Sequence, residues 1–439
     1  MKRGCFDLGD VRDRGEHAKC VTIPGRDMES FDIIVIGAGP AGSTAATLLA
    51  EAGVRVLLLE EKRMPRHKVC GEFITPESFP TLERLGLMSR LRQAGAREIK
   101  TLNLCAENGR ELAVPIPEMS SAKSAMGLSR ACLDHMMLDR AREAGAVCIE
   151  GAVVRRCFYE DGNPAGVEAL LLEKGRNVEF RASLIVDASG RNSRIMVDRR
   201  ERQGGNRGSR LYAMKAHFEG VANIDEKVEL YFFKNGYGGL SEVEGGLANL
   251  CFITTEDVVR RCSGNGMQAV AASVATNPIA RDRLRHAKLA GKWLTVGPLT
   301  FGKRRLARDG VVAIGDAAGM IDPFTGTGIQ IALKSGEILA ECVIDMLGAA
   351  RRINREYDSC CSASNRLHCP DSPGIAQTED VISRYQKGYQ TEFGERMWAA
   401  QVLRRAAFST NVVNAIGGVL VALPWLAHRM IRATRAGSA

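Results

Sequence analysis

From Arg396 to Ala439 the chain has no aspartate or glutamate, yet it carries six arginines there: Arg396, Arg404, Arg405, Arg429, Arg432 and Arg435. Six of the nine net positive charges at neutral pH therefore gather in the last tenth of the sequence. Aromatics are scarce too, at 5% overall, and only Trp398, Phe408 and Trp425 accompany those arginines. Nucleic-acid binders interleave stacking aromatics with their basic patches, so that class is disfavoured and no nucleic-acid partner is expected. A basic stretch around apolar residues points instead to peripheral contact with an anionic membrane, or to a terminal helix pair packed on the body. Uninterrupted apolar runs are also missing. The longest, Val412 to Ala427, is broken by Asn414 and Pro424. It is short for crossing a bilayer but long enough to lie in one. Residues 1–27 alternate charges (Lys2, Arg3, Asp7, Asp10, Arg12, Asp13) and lack the apolar segment of a secretory signal. The expected location is cytoplasmic, with membrane association through the C-terminal helices.

Thirteen cysteines are scattered and odd in number, which excludes a small disulfide scaffold and fits free thiols in a reducing compartment. Cys360, Cys361, His368 and Cys369 are too compressed in spacing for a good zinc site, so no metal is expected. No Ser/His/Asp arrangement is visible from spacing, and no internal repeat stands out. What is present is an ordinary globular composition, 45% hydrophobic and 25% charged over 439 residues. That is enough for two or three domains sharing a large core.

Ile33 to Ile36 form the continuous apolar run of a buried parallel strand, with Met28 just before it. Residues 1–27 are therefore expected to be a disordered extension, with a short surface arm as the other reading. The turn Gly37-Ala38-Gly39-Pro40-Ala41-Gly42 leads into an alanine-rich helix capped by Gly53, and Arg55 to Leu59 form a second buried strand. This is a βαβ unit. A Pro/Arg/Lys/Gly-rich loop spans Lys62 to Pro76. Residues 98–117 read as strands, Ser129 to Gly145 as an amphipathic helix, and Leu211 to Thr254 as an antiparallel sheet with turns at Asn235-Gly236 and Gly245-Gly246. A helix is expected from Gly328 to Leu347. Residues 352–380 are polar and aperiodic and read as an inserted loop, and the chain from Val381 reads as helical.

The strongest chemical signal begins at Asp32-Ile33-Ile34-Val35-Ile36-Gly37-Ala38-Gly39-Pro40-Ala41-Gly42. Gly37 permits a tight turn, Gly39 lets a pyrophosphate approach the backbone, and Gly42 lets the helix pack on the strand. The helix N-terminus offers unpaired N–H groups to the phosphates. Glu60, eighteen residues beyond Gly42, stands where a carboxylate can accept from both ribose hydroxyls. A dinucleotide is the expected ligand.

Further along, Asp309 to Gly319 reads as a strand ending in Gly315-Asp316. With the glycine turn and Ile185-Val186-Asp187-Ala188-Ser189-Gly190, this resembles the FAD enzymes of the para-hydroxybenzoate hydroxylase fold. The resemblance implies that Asp316 binds the ribityl chain and that Arg130, in Leu128-Ser129-Arg130, supports the phosphate or ribityl region. Pro65-Arg66-His67-Lys68-Val69-Cys70-Gly71-Glu72 and Asp322-Pro323-Phe324-Thr325-Gly326-Thr327-Gly328-Ile329 resemble the loops of the geranylgeranyl reductase-like branch. In the second loop Pro323, Gly326, Gly328 and Ile329 would face the flavin, where N–H donors at a helix start stabilise the reduced ring's negative charge. Lys68 is a candidate for the FAD phosphate, and Lys68, Cys70 and Tyr237 are weak catalytic candidates. A cysteine in such a loop is more often a small packed side chain than a nucleophile.

The resemblance implies an α/β fold: a discontinuous Rossmann-like FAD-binding domain (28–92, 122–200 and 301–350) and an inserted, mainly antiparallel β substrate domain (93–121 and 201–300). The C-terminal region 381–439 would be helical. It implies an FAD-dependent oxidoreductase reduced transiently by NAD(P)H, since no second dinucleotide fingerprint is present. The substrate would be a hydrophobic small molecule, either reduced at a C=C bond or oxygenated. A third reading is a non-catalytic binder of lipid or a prenyl group. The Trp-x-Trp-x-Ile-Pro signature of flavin halogenases is absent, and Asn235 to Leu240 matches only part of the reductases' Tyr-Gly-Trp-x-Phe-Pro pattern.

Overall fold

A computed structural model of the protein describes residues 30–116, 124–196, 210–360 and 375–407. The expected extension 1–27 and the apolar run Val412–Ala427 lie outside the described residues. Residues 33–36 are apolar on both faces because both faces are covered. The strand Ser30–Ile36 runs parallel between Val56–Glu60 and Arg176–Asp187. Val147–Glu150 and Val311–Ala313 extend the parallel sheet at either side. The helices Pro40–Glu51, Arg130–Glu143 and Gly328–Cys360 cover one face, burying Ala45, Leu133, Met137 and Leu333. The antiparallel hairpin Ala152–Glu160 and Asn163–Leu171 covers the other, with Val167 and Ala169 against Ile34 and Leu57.

A second sheet has seven strands, in the order 288–296, 211–219, 248–255, 236–242, 227–233, 101–105 and 111–115. All neighbours are antiparallel except the pair 227–233 and 101–105. One face buries Phe218, Leu240 and Phe252 against three short helices, Glu256–Arg261, Gly266–Ala272 and Pro278–Leu284. Those helices lie within the stretch 201–300, expected to be a mainly antiparallel β substrate domain, and beyond the run 211–254 that reads as sheet. The other face looks toward the first sheet and bounds a cavity.

The helix starting at Gly328 continues past Leu347 to Cys360, and a second long helix, Ile375–Ala407, packs against it. The inserted loop expected over 352–380 is thus helical at both of its ends, while 361–374 lie outside the described residues. Polar composition misled there. A long helix with only one face packed can stay polar elsewhere. Gly336 is needed for packing: a Cβ there would lie 2.4 Å from the Ala41 carbonyl oxygen, where two helices cross closely.

Candidate functional site

The glycine turn works through backbone geometry. Gly37 has φ +104°, and a Cβ there would lie 2.5 Å from the Ala188 carbonyl oxygen. A Cβ on Gly42 would lie 1.9 Å from the Gly37 carbonyl oxygen. Gly39 differs: the nearest atom to a Cβ there is Arg130 Nη2 at 3.7 Å, so its side is open. Gly39 is the N-cap of the helix Pro40–Glu51 and supplies no side-chain cap. The helix therefore begins toward open space with its first-turn N–H groups uncapped by a side chain, the arrangement that receives an anion.

Glu60 ends the neighbouring strand almost fully buried. Its carboxylate accepts from the N–H of Ala38 (2.8 Å) and the N–H of Lys62 (3.0 Å). Arg66 stands 3.6 Å from Glu60 and 3.5 Å from Asp134. Asp134, one turn along its helix from Arg130, accepts both Nε (2.6 Å) and Nη2 (2.7 Å) of that arginine. Arg130 is thus held as a fixed fork rather than a free one. Lys68 stands half-buried beside Arg130 and Gly190. Burial, then the charge of Arg130, holds its ammonium pKa below the usual lysine range. Burial likewise lowers the pKa of Arg191.

Two cavities meet here. One contains Gly37 and Glu60, the other Arg130, Asp316 and Gly326, and they share Gly39, Lys68 and Ala188. An extended ligand can therefore run from Glu60 across the glycine turn to the loop before the long helix. Lys68 at the shared waist and Arg191 in the second cavity, both with lowered pKa values, suit a diphosphate that would supply the missing negative charge. The residues present fit FAD. Among the sequence candidates, Pro40, Ala41, Cys70, Tyr237, Gly315, Pro323, Gly328 and Ile329 also line the second cavity, while Gly42 lines neither and serves packing.

Gly315 takes φ +59°, and a Cβ there would lie 2.9 Å from the Cβ of Ala41, so the chain carrying Asp316 passes close over the first helix. The loop beyond is knotted by hydrogen bonds. Asp322 accepts from the Phe324 N–H at 3.0 Å and from the Tyr237 hydroxyl. The Thr325 and Thr327 hydroxyls are 2.8 Å apart, and Gly326 turns the chain at φ +68°. Burial and the adjacent Asp322 carboxylate push the Tyr237 phenol well above its ordinary pKa, so it stays protonated and donates to Asp322. Tyr237 therefore ties the second sheet to this loop.

Three residues escaped the sequence reading. Glu72, fully buried at φ +55°, accepts from the backbone N–H of Arg130 at 2.7 Å, from Lys215 Nζ, and from His217 Nε2 at 2.6 Å. Burial alone would raise the Glu72 pKa, but the hydrogen bond from His217 and the charge of Lys215 outweigh it and lower it. The exposed His67 packs its ring edge-on to His217, with centroids 5.3 Å apart. Strand alternation puts Lys215 and His217 on one face, but no local pattern joins them to Glu72 at the end of the loop 65–72. Cys70, two residues before Glu72, has its carbonyl held by the Asn249 side chain at 3.0 Å.

The FAD binding domain family matches residues 30–366. Digeranylgeranylglycerophospholipid reductase 2 of Methanopyrus kandleri is 27% identical over 379 residues, covering 83% of each chain. A flavin-dependent halogenase of Armillaria mellea is 26% identical over 367 residues, 77% of this chain and 71% of its own. The crystal structure of a geranylgeranyl bacteriochlorophyll reductase-like protein from Thermoplasma acidophilum superposes with a TM-score of 0.68 at 18% identity, over 89% of this chain and 91% of that one. That last likeness is one of fold. With a cradle that fits FAD and a family match over most of its length, the chain belongs to the FAD binding domain family and is an FAD-dependent oxidoreductase.

Proposed function

We propose that the protein takes electrons from NAD(P)H and reduces a C=C bond of a lipophilic substrate. FAD, when bound, supplies the two-electron chemistry. Glu60 would accept from the adenosine ribose. Gly39, the helix start at Pro40 and Ala41, Lys68 and Arg130 would hold the diphosphate, and Asp316 the ribityl chain. Gly315 brings Asp316 in close. The loop carrying Pro323, Gly326, Gly328 and Ile329 would present backbone donors to the ring.

The observation that carries this reading is the character of the cavity wall facing that loop. It is apolar, formed by side chains such as Leu102, Leu104, Val228, Leu230 and Ile253 from one face of the second sheet. Such a wall excludes water and binds hydrocarbon. A second reading is oxygenation of the same class of substrate: the relatives include a flavin-dependent halogenase nearly as similar as the reductase, so reduction is not the one reaction named among them. The two readings separate by product mass. Anaerobic turnover with NAD(P)H and an unsaturated polyprenyl lipid should add two hydrogens. A product carrying one oxygen atom, formed only in air, would replace the first reading with the second.

A further inference from the structure

The central strand of the second sheet, Gly236–Glu242, holds three glycines. Two are explained by packing. A Cβ on Gly236 would lie 2.2 Å from the Ile253 carbonyl oxygen, and one on Gly238 would lie 2.7 Å from the Cβ of Phe252. Gly239 has no such reason. Its φ is not in the left-handed region, and among the described residues the one atom near a Cβ there is the Glu229 carbonyl oxygen, at 4.0 Å. Alternation along the strand places Gly239 on the cavity side with Tyr237 and Ser241, while Leu240 is buried against the helices behind. Its cross-strand partners on either side are Leu230 and Cys251, both cavity-lining. Side chains thus stand on all sides of a stretch of bare backbone in mid-wall. A glycine inside a strand often marks close backbone approach by another group, and no described residue supplies one here.

We propose that Gly239 is a specificity-determining residue: the recess it leaves admits a ring, so that the substrate is a ring-bearing lipophile rather than a single acyclic chain. The inference rests on the reading of this cavity as the substrate chamber. A ring laid against the bare backbone gains contact over the width of the recess, whereas an acyclic chain leaves that width unfilled.

The test is a binding titration of the FAD-loaded protein, followed by perturbation of the flavin absorbance. The probes are a prenylated naphthoquinone and an acyclic polyprenol of matching chain length. The wild type should bind the quinone more tightly. Gly239→Leu should raise the quinone Kd at least about tenfold and leave polyprenol binding little changed. Gly239→Ala, whose methyl group has room, should give a smaller loss in the same direction, and it carries the test if the leucine variant does not retain FAD. Equal loss for both probes, no loss for either, or no preference in the wild type would each overturn the proposal. Because the readout is binding, it stands apart from the product-mass test: an oxygenated product would sink the reductase reading and leave the Kd ratio to judge Gly239.

Discussion

The parallel sheet and the seven-stranded sheet meet at one cavity but contribute to it by different means. The parallel sheet offers mainly backbone: a strand end, a glycine turn and a helix start within the contiguous stretch from Asp32 to Gly42, joined by Glu60 at the end of the next strand. The seven-stranded sheet offers one face of side chains gathered from residues 102 to 296, no two strands of which make a site alone. A backbone site tolerates almost no change at its few fixed points. A side-chain face tolerates exchange and can be retuned for a new substrate. Such a contrast lets one cofactor half serve different reactions.

The harshest way to break the backbone half is Gly42→Val. Its Cβ would start 1.9 Å from the Gly37 carbonyl oxygen, with Ala188 Cβ 3.1 Å away on another side. Nothing flexible can yield there. The turn must open or the helix must shift, and either destroys the anion cradle. The expected outcome is loss of bound FAD, read as the flavin-to-protein absorbance ratio after purification. A comparably drastic change on the other sheet, Gly239→Leu, should leave FAD in place.

What could be read from the sequence divides along the same line. The turn, its helix and Glu60 were legible because they depend on local backbone chemistry within thirty residues. Asp316 and the 322–329 loop were placed by resemblance, and the structure puts them beside the turn. The Glu72 network was not legible, because 143 residues separate Glu72 from Lys215 and only the folded sheet brings them together. Arg130 was seen as a cation near phosphate, but Asp134, which orients it, lay unnoticed one helical turn away. The helices Glu256–Arg261, Gly266–Ala272 and Pro278–Leu284 were missed because each is shorter than the window over which a 3.6-residue period can be recognised.

Between the two halves lies the Glu72 network, and Glu72→Gln sharpens the comparison by cutting their electrostatic link. The glutamine keeps the shape but leaves the Lys215 ammonium buried without its counter-charge. A loss of about 3–5 kcal/mol in denaturant unfolding is expected, the cost of stranding one partner of a buried pair. Lys215→Met added to Glu72→Gln should recover part of that loss. The pH dependence has a definite sign. The folded-state pKa of Glu72 lies below its ordinary value, so its contribution is complete above the ordinary glutamate range and is lost as pH falls through the folded pKa. The gap between wild type and Glu72→Gln should therefore narrow on acidification below that range. A gap that is constant with pH would show that the charge of Glu72 does not matter.

The mildest perturbation asks whether the two halves are joined at the loop by structure or by chemistry. Tyr237→Phe removes a hydroxyl that donates to Asp322 and sits 3.1 Å from the Phe324 N–H. The Phe324 N–H keeps Asp322 as its acceptor at 3.0 Å, and the ring keeps its edge-on contact with Phe324 at 5.6 Å. The donation to Asp322 is lost while the Phe324 N–H keeps an acceptor, so unfolding should cost about 1 kcal/mol. A phenol with a raised pKa that already donates to a carboxylate is poorly placed to give its proton to substrate. Turnover should accordingly fall by less than about tenfold, whereas removing a true general acid costs about a hundredfold or more. A loss of that larger size, with FAD content and stability near wild type, would move Tyr237 from holding the loop to taking part in the reaction. The second sheet would then supply chemistry as well as shape.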